Sequence, residues 1–86
     1  MSTWRREPEA ERWDEEKAVR LLLDAGAVVG GYEAEGARIE PKLRQTYHDH
    51  IVEAHNARDM NAYQEAVNGY VEAFREAYHR QQRGDR

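Results

Sequence analysis

Histidine and carboxylate side chains concentrate in one short segment, at His48, His50, Glu53 and His55. Imidazole and carboxylate groups are ligands that zinc and other transition metals accept in proteins. The spacing argues against a site built from this segment alone, because residues two apart point about 160° away from each other on a helix. We therefore predict solvated or hydrogen-bonded histidines here, and no resident metal.

A second pattern with known metal chemistry is the Glu76-x-x-His79 sequence. Di-iron helix bundles use such pairs, but they need two copies and two further inward glutamates. The chain has no second copy. A weak metal or small-ligand site remains an alternative hypothesis if two helices lie antiparallel and bring together His48, His50, Glu53, His55, Glu76 and His79.

Covalent catalysis has little support in the composition. The chain has no cysteine, and its non-tyrosine hydroxyls are Ser2, Thr3 and Thr46, none of which lies in a nucleophile elbow or triad motif. The glycines between residues 26 and 36 are not followed by the Gly-Lys-Ser/Thr of a phosphate-binding loop. We predict that the chain is not an enzyme and uses no cofactor.

Basic residues near the predicted second helix suggest a different function, that of a DNA-associated regulator. The candidate phosphate contacts are Arg38, Lys42, Arg44 and Arg58. The net charge of −4 and the acidic residues of the third predicted helix would repel a phosphate backbone. Nucleic acid is therefore kept as an alternative partner and not as the expected one.

The strongest structural signal is an apolar stripe whose members alternate three and four residues apart: Met60, Tyr63, Val67, Tyr70, Phe74 and Ala77. This period predicts a helix over about residues 60–81, with one face buried. Asp59 is the expected N-cap. The stripe keeps its phase across Gly69, so we expect a close packing spot there. Phe74, which has no polar group, is predicted to be buried.

The first helix is predicted over about residues 14–29, with Asp14 as its cap. Apolar residues occur nearly all around it, which is typical of a helix covered on more than one side. We expect Gly30-Gly31 to end it, because consecutive glycines disfavour a helix interior. Residues 27–39 then form a loop or, as the alternative, a short hairpin.

The second helix is predicted over about residues 41–56, with Pro41 in its first turn. Its expected inner face contains Ile39, Leu43, Tyr47, His50 or Ile51, and Ala54. The predicted fold is thus all-α: a small three-helix bundle over residues 13–82, between a flexible arm at 1–12 and a polar tail at 83–86. The chain shows no apolar run of signal or membrane type, so we expect a cytoplasmic protein.

The size of the chain indicates a need for partners. A domain of 86 residues buries only about 60 to 65 per cent of its unfolded surface, and no disulfide supplements the core. We predict a non-enzymatic protein–protein interaction module or small accessory subunit that self-associates or binds another protein. The predicted interface residues, which equally suit an intramolecular core, are Leu22, Val29, Tyr63, Val67, Tyr70 and Phe74.

Overall fold

The computed structural model describes residues 12–83, and three α-helices account for most of them. Helix α1 spans Glu15–Ala34, α2 spans Pro41–Ala57 and α3 spans Met60–Arg83. No β-strand occurs among the described residues. The prediction of an all-α three-helix bundle is confirmed, and the second and third helices begin and end within two residues of the predicted positions.

The predicted terminal segments fall almost wholly outside this range. Of the arm predicted at residues 1–12, the structure describes Arg12 alone, and of the tail predicted at 83–86 it describes Arg83. Both assignments stay predictions.

Helix α1 begins as predicted and ends later than predicted. The Asp14 carboxylate accepts a hydrogen bond from the Lys17 backbone N–H at 3.1 Å, which caps the first turn. The expected stop at Gly30-Gly31 is wrong, because the helix continues to Ala34. Glycine costs about 1 kcal/mol in a helix interior relative to alanine. Packing of Val29 and Tyr32 against α3 outweighs that cost.

Gly36 supplies the stop that the paired glycines do not. It has a φ of +98°, in the left-handed region where glycine is favoured. Its N–H bonds to the Glu33 carbonyl at 2.9 Å, and the Ala37 N–H bonds to the Tyr32 carbonyl at 3.0 Å. These two bonds form a Schellman motif. Residues 35–40 make a turn and an irregular connection, so the predicted loop is correct only there. It is wrong for residues 27–34, which are helical, and the hairpin alternative is also wrong.

The starts of α2 and α3, and the turn between these helices, are explained by individual residues. Pro41 occupies the start of α2, where its missing N–H needs no partner. Asp59 caps α3 by accepting from the Ala62 backbone N–H at 3.1 Å. Arg58, between the two helices, has a left-handed φ of 57° that turns the chain sharply back. Helix α2 therefore runs antiparallel to α3.

Helix α3 is the central helix, and α1 lies parallel to it. The Tyr63 hydroxyl donates to the Ala18 carbonyl at 3.1 Å near one end, and the Gln81 amide donates to the Glu35 carbonyl at 3.2 Å near the other. Both α1 and α2 pack on α3. Within the described residues the backbones of α1 and α2 do not approach each other. The molecule is thus open between its two outer helices.

The core consists of two buried clusters along α3. One contains Tyr63 and Val67 with small residues of α1 and α2, and the other contains Phe74 with Val29 and Ala37. Phe74 is 1% exposed, so its predicted burial is confirmed. The close packing expected at Gly69 is also confirmed: a Cβ there would lie 2.9 Å from the Tyr47 ring.

Replacing Phe74 by alanine should lower the free energy of unfolding by about 3 to 5 kcal/mol, because the deletion leaves a cavity in the smaller cluster. Urea denaturation followed by circular dichroism measures the change. Val28→Ala, which shortens an exposed side chain on the same level of the bundle, serves as the control and should cost far less. Equal losses for the two variants would contradict the assignment of Phe74 to the core.

Gly69→Ala and Gly31→Ala should have opposite effects on stability. Both positions are helical, so each gains up to about 1 kcal/mol of helix propensity. At Gly31 the new methyl group meets nothing within 4 Å, whereas at Gly69 it meets the Tyr47 ring. Overpacking costs about 1 to 3 kcal/mol, so Gly69→Ala should be destabilising. Thermal unfolding gives the melting temperature of each variant. A Gly69→Ala variant that melts at a higher temperature than the unchanged chain would refute the close contact.

Candidate functional site

An open groove lies between α1 and α2 on the described surface. Its volume is about 700 Å³, and Tyr70 of α3 forms its floor. One wall comes from α1 and the other from α2. The residues that line it are Leu22, Gly26, Pro41, Arg44, Gln45, His48, Ile51, Val52 and Tyr70. The lining is apolar at the centre, with polar side chains along the α2 wall.

Side chains connect α1 and α2 at the two ends of the groove. At one end an Arg44 guanidinium nitrogen lies 3.2 Å from a Glu33 carboxylate oxygen. At the other end His55 Nε2 lies 3.7 Å from Glu15 Oε2. Exposed pairs of this kind contribute at most about 1 kcal/mol each. They bridge the ends, while Gly26 in the middle has no side chain to fill the gap.

The end near Glu15 is an aromatic cluster. The Trp13 ring meets the rings of His55 and Tyr63 edge-on, with centroids 5.3 and 5.4 Å away. The Trp13 indole N–H donates to the Glu15 carboxylate at 2.9 Å. This bond lowers the pKa of Glu15, and the nearby His55 and Arg58 lower it further. The cluster thus places a charged carboxylate beside the half-buried rings of Trp13 and His55, which pack on the buried Tyr63 ring.

The most exposed large apolar side chains lie on the two outer helices. All large apolar side chains that are prominently exposed in the described residues lie on α1 or α2: Val19, Leu22, Leu23, Val28, Leu43 and Val52. Leu23 is the most exposed of them, at 69%. Leu22 and Val52 face each other across the groove as parts of its two walls. The α1 helix therefore has one face in the core and a second apolar face in solvent.

The six predicted interface residues separate into two groups. Val29, Tyr63, Val67 and Phe74 are each at most 3% exposed and form the intramolecular core. Leu22 and Tyr70 line the groove. Sequence reasoning missed the α2 wall. The available signal was the adjacent pair Ile51 and Val52, because neighbouring residues on a helix cannot both face the same way.

The histidines do not converge on one point. His48 Nδ1 lies 3.8 Å from an Asp49 carboxylate oxygen, His55 faces Glu15, and His79 contacts the Tyr78 ring. Although α2 and α3 are antiparallel, residues 12–83 contain no cluster of three or more side chains able to hold a metal ion. This arrangement gives no support to the alternative metal site.

The four basic residues considered for nucleic acid are also dispersed. Arg44 is paired with Glu33 and lies over the Phe74 ring, 5.7 Å from its centroid. Arg58 lies over the Trp13 ring at the opposite end of α2. Fourteen helical residues separate the two, which corresponds to about 21 Å. Arg38 and Lys42 lie near the start of α2, so the four do not form a single patch.

Comparison with known proteins provides no family assignment. No protein-family model matches the chain, and neither a curated protein nor a solved structure is significantly similar to it. Among the described residues, no helix combines the length and apolar character that crossing a bilayer requires.

Tyr63 makes the stability of the aromatic end sensitive to alkaline pH. Burial raises the pKa of Tyr63 above its ordinary value near 10, and the charge of Glu15 adds to the rise. The neutral phenol therefore stabilises the fold fully below pH 10, and this stabilisation is lost as the pH rises through the folded-state pKa. Urea midpoints should fall above pH 10, and less steeply in Tyr63→Phe than in Tyr32→Phe. Identical pH profiles would contradict this role.

Proposed function

We propose that this chain is a non-enzymatic protein–protein interaction module that docks its partner on the face formed by α1 and α2. One observation carries the proposal: among residues 12–83, the prominently exposed large apolar side chains all lie on these two helices, and two of them form the walls of one groove. Exposed apolar side chains that line a common groove, as Leu22 and Val52 do, mark interaction sites in soluble proteins.

The exposed apolar side chains of α1 and α2 would gain free energy if a partner covered them. Full burial of a leucine or valine side chain contributes about 1.5 to 3 kcal/mol. Val19, Leu22 and Val52 are 48%, 44% and 42% exposed, so covering each contributes on the order of 1 kcal/mol. Leu23 has more to gain, since it is 69% exposed. A partner that covers this face gains several kcal/mol before the cost of association.

The composition of the groove fits recognition of a protein surface. Apolar residues occupy its centre, and Arg44, Gln45 and His48 place hydrogen-bonding groups along one edge. Tyr70 offers an aromatic ring with a hydroxyl at the floor. An apolar centre with a polar rim is the usual organisation of protein interfaces.

A cytoplasmic setting belongs to the proposal, because small domains of oxidising compartments commonly contain disulfides and this chain has no cysteine.

Two single substitutions on α1 test the docking face. Leu22 and Val28 are about equally exposed, at 44% and 45%, but they lie about 120° apart around the helix. Leu22→Glu places a charge in the groove, whereas Val28→Glu places one on the side away from it. Both should keep the helical circular dichroism spectrum.

The measurement is quantitative recovery of partners, including further copies of the chain, by a tagged version in an extract of its own source. We expect Leu22→Glu to reduce recovery at least tenfold, since one buried, unpaired charge costs several kcal/mol. Val28→Glu should recover the partners seen with the unchanged chain. Recovery that survives Leu22→Glu, or that is lost equally in both variants, would refute docking on this face.

A further inference from the structure

Asn68 and Gly69 lie in the middle of α3 and form the one Asn-Gly pair of the sequence. Asparagine is chemically labile, because its side-chain amide reacts with the backbone nitrogen of the next residue. Glycine hinders this reaction least, since it has no side chain and restricts the backbone least. The two other asparagines, Asn56 and Asn61, each precede alanine. Asn68 therefore has the greatest intrinsic tendency of the three to deamidate.

The deamidation of Asn68 consumes only water and needs no cofactor. The Gly69 backbone nitrogen attacks Cγ of Asn68, so that a new N–C bond forms and the Cγ–Nδ2 bond breaks. Ammonia leaves with the proton that the Gly69 N–H gives up. Water then opens the resulting cyclic imide at one of its two carbonyls. Opening at Cγ gives aspartate, whereas opening at the main-chain carbonyl gives isoaspartate, in which the chain continues through the side chain.

The folded helix blocks the first step of this reaction. Both residues are helical, so the Gly69 N–H points at the carbonyl of Glu65, four residues earlier, and not at the Asn68 side chain. Attack requires the peptide unit between Asn68 and Gly69 to rotate out of the helix. Access of water is not the obstacle, because Asn68 is exposed. The reaction thus proceeds from conformations in which this part of α3 has opened.

Packing against α2 fixes glycine at position 69. A Cβ on Gly69 would lie 2.9 Å from the Tyr47 ring, so any other residue would displace that ring. The Tyr47 ring in turn packs near the Tyr70 ring, with centroids 6.3 Å apart. Glycine weakens a helix interior relative to alanine. The residue that this contact requires therefore eases both the opening of α3 and the attack on Asn68.

Isoaspartate at position 68 would separate the two buried clusters of the core. Tyr63 and Val67 belong to one cluster and precede the reacting bond, whereas Phe74 belongs to the other and follows it. Helix α1 contributes Ala25 to the first cluster and Val29 to the second. Isoaspartate adds one atom to the main chain, which turns the later half of α3 relative to the earlier half. Helix α1 then cannot pack on both halves at once.

We propose that Asn68 is a spontaneous deamidation site protected by the intact α3 helix, and that its conversion to isoaspartate during opening of α3 removes the chain irreversibly from the folded population. This chemistry does not depend on the docking face formed by α1 and α2. The stability of the central helix then sets how long a copy of the chain remains able to fold.

Peptide mass spectrometry of the full chain, incubated at neutral pH with and without unfolding concentrations of urea, tests the site. In urea, Asn68 should react at least about tenfold faster than Asn56 or Asn61, since only Asn68 precedes glycine. In the folded chain its reaction should be at least about 30-fold slower than in urea, because the opened population is small. Faster reaction at Asn56 or Asn61 in urea, or equal rates at Asn68 in both states, would overturn the proposal.

Two substitutions test whether opening of α3 controls the rate. Phe74→Ala removes a core side chain five residues beyond Gly69, and it should speed deamidation without urea about 100-fold, or up to the rate in urea if the variant unfolds outright. Val28→Ala shortens an exposed side chain and should leave the rate within about twofold. Both variants should match the unchanged chain in urea. An unchanged rate in Phe74→Ala would overturn control by the helix.

Refolding of the product tests the loss of folding. The isoaspartate form, separated chromatographically from the aspartate form, is unfolded in urea and diluted. It should not recover the helical circular dichroism spectrum. Asn68→Asp, which has the same charge on an unchanged main chain, should fold as the unchanged chain does. Full recovery by the isoaspartate form would overturn the irreversible loss, and equal failure of Asn68→Asp would overturn the role of the inserted atom.

Discussion

Packing on α3 is the constraint from which the rest of this structure follows. Tyr63, Val67 and Phe74 of α3 are buried, and their neighbours come from α1 on one side and from α2 on the other. The outer helices contact each other through a few side chains at their ends and not through their backbones. The apolar face of the central helix is thus largely covered, whereas each outer helix has one face covered and another exposed.

The same constraint explains why α1 is longer than its composition favours. Helix propensity alone predicts an end at Gly30-Gly31, but Val29 lies in the buried cluster around Phe74 and Tyr32 packs against Tyr78. A helix that ended before these contacts would lose more apolar burial than it gained in backbone entropy. The chain stops instead at Gly36, where backbone hydrogen bonds and a left-handed φ complete a Schellman motif without loss of packing.

Local sequence patterns predict the helices, but they do not predict the groove. The period of the α3 stripe predicts the burial of Phe74, and Pro41 and Asp59 correctly mark two helix starts. Leu22 and Val29 lie seven residues apart on the same predicted face, yet they are 44% and 3% exposed. Periodicity identifies which residues share a side of a helix. It does not contain the distance to the next helix, and here Leu22 lines an open groove in which Gly26 has no side chain to fill the gap.

On the proposed function, an exposed apolar face would link folding to association in a domain of this size. The core is small, and several of the largest aliphatic side chains contribute little to it because they remain in water. A partner that covers them binds the folded chain and not the unfolded one, since only the folded chain places the walls of α1 and α2 side by side. Binding of this kind stabilises the fold in proportion to the logarithm of partner concentration.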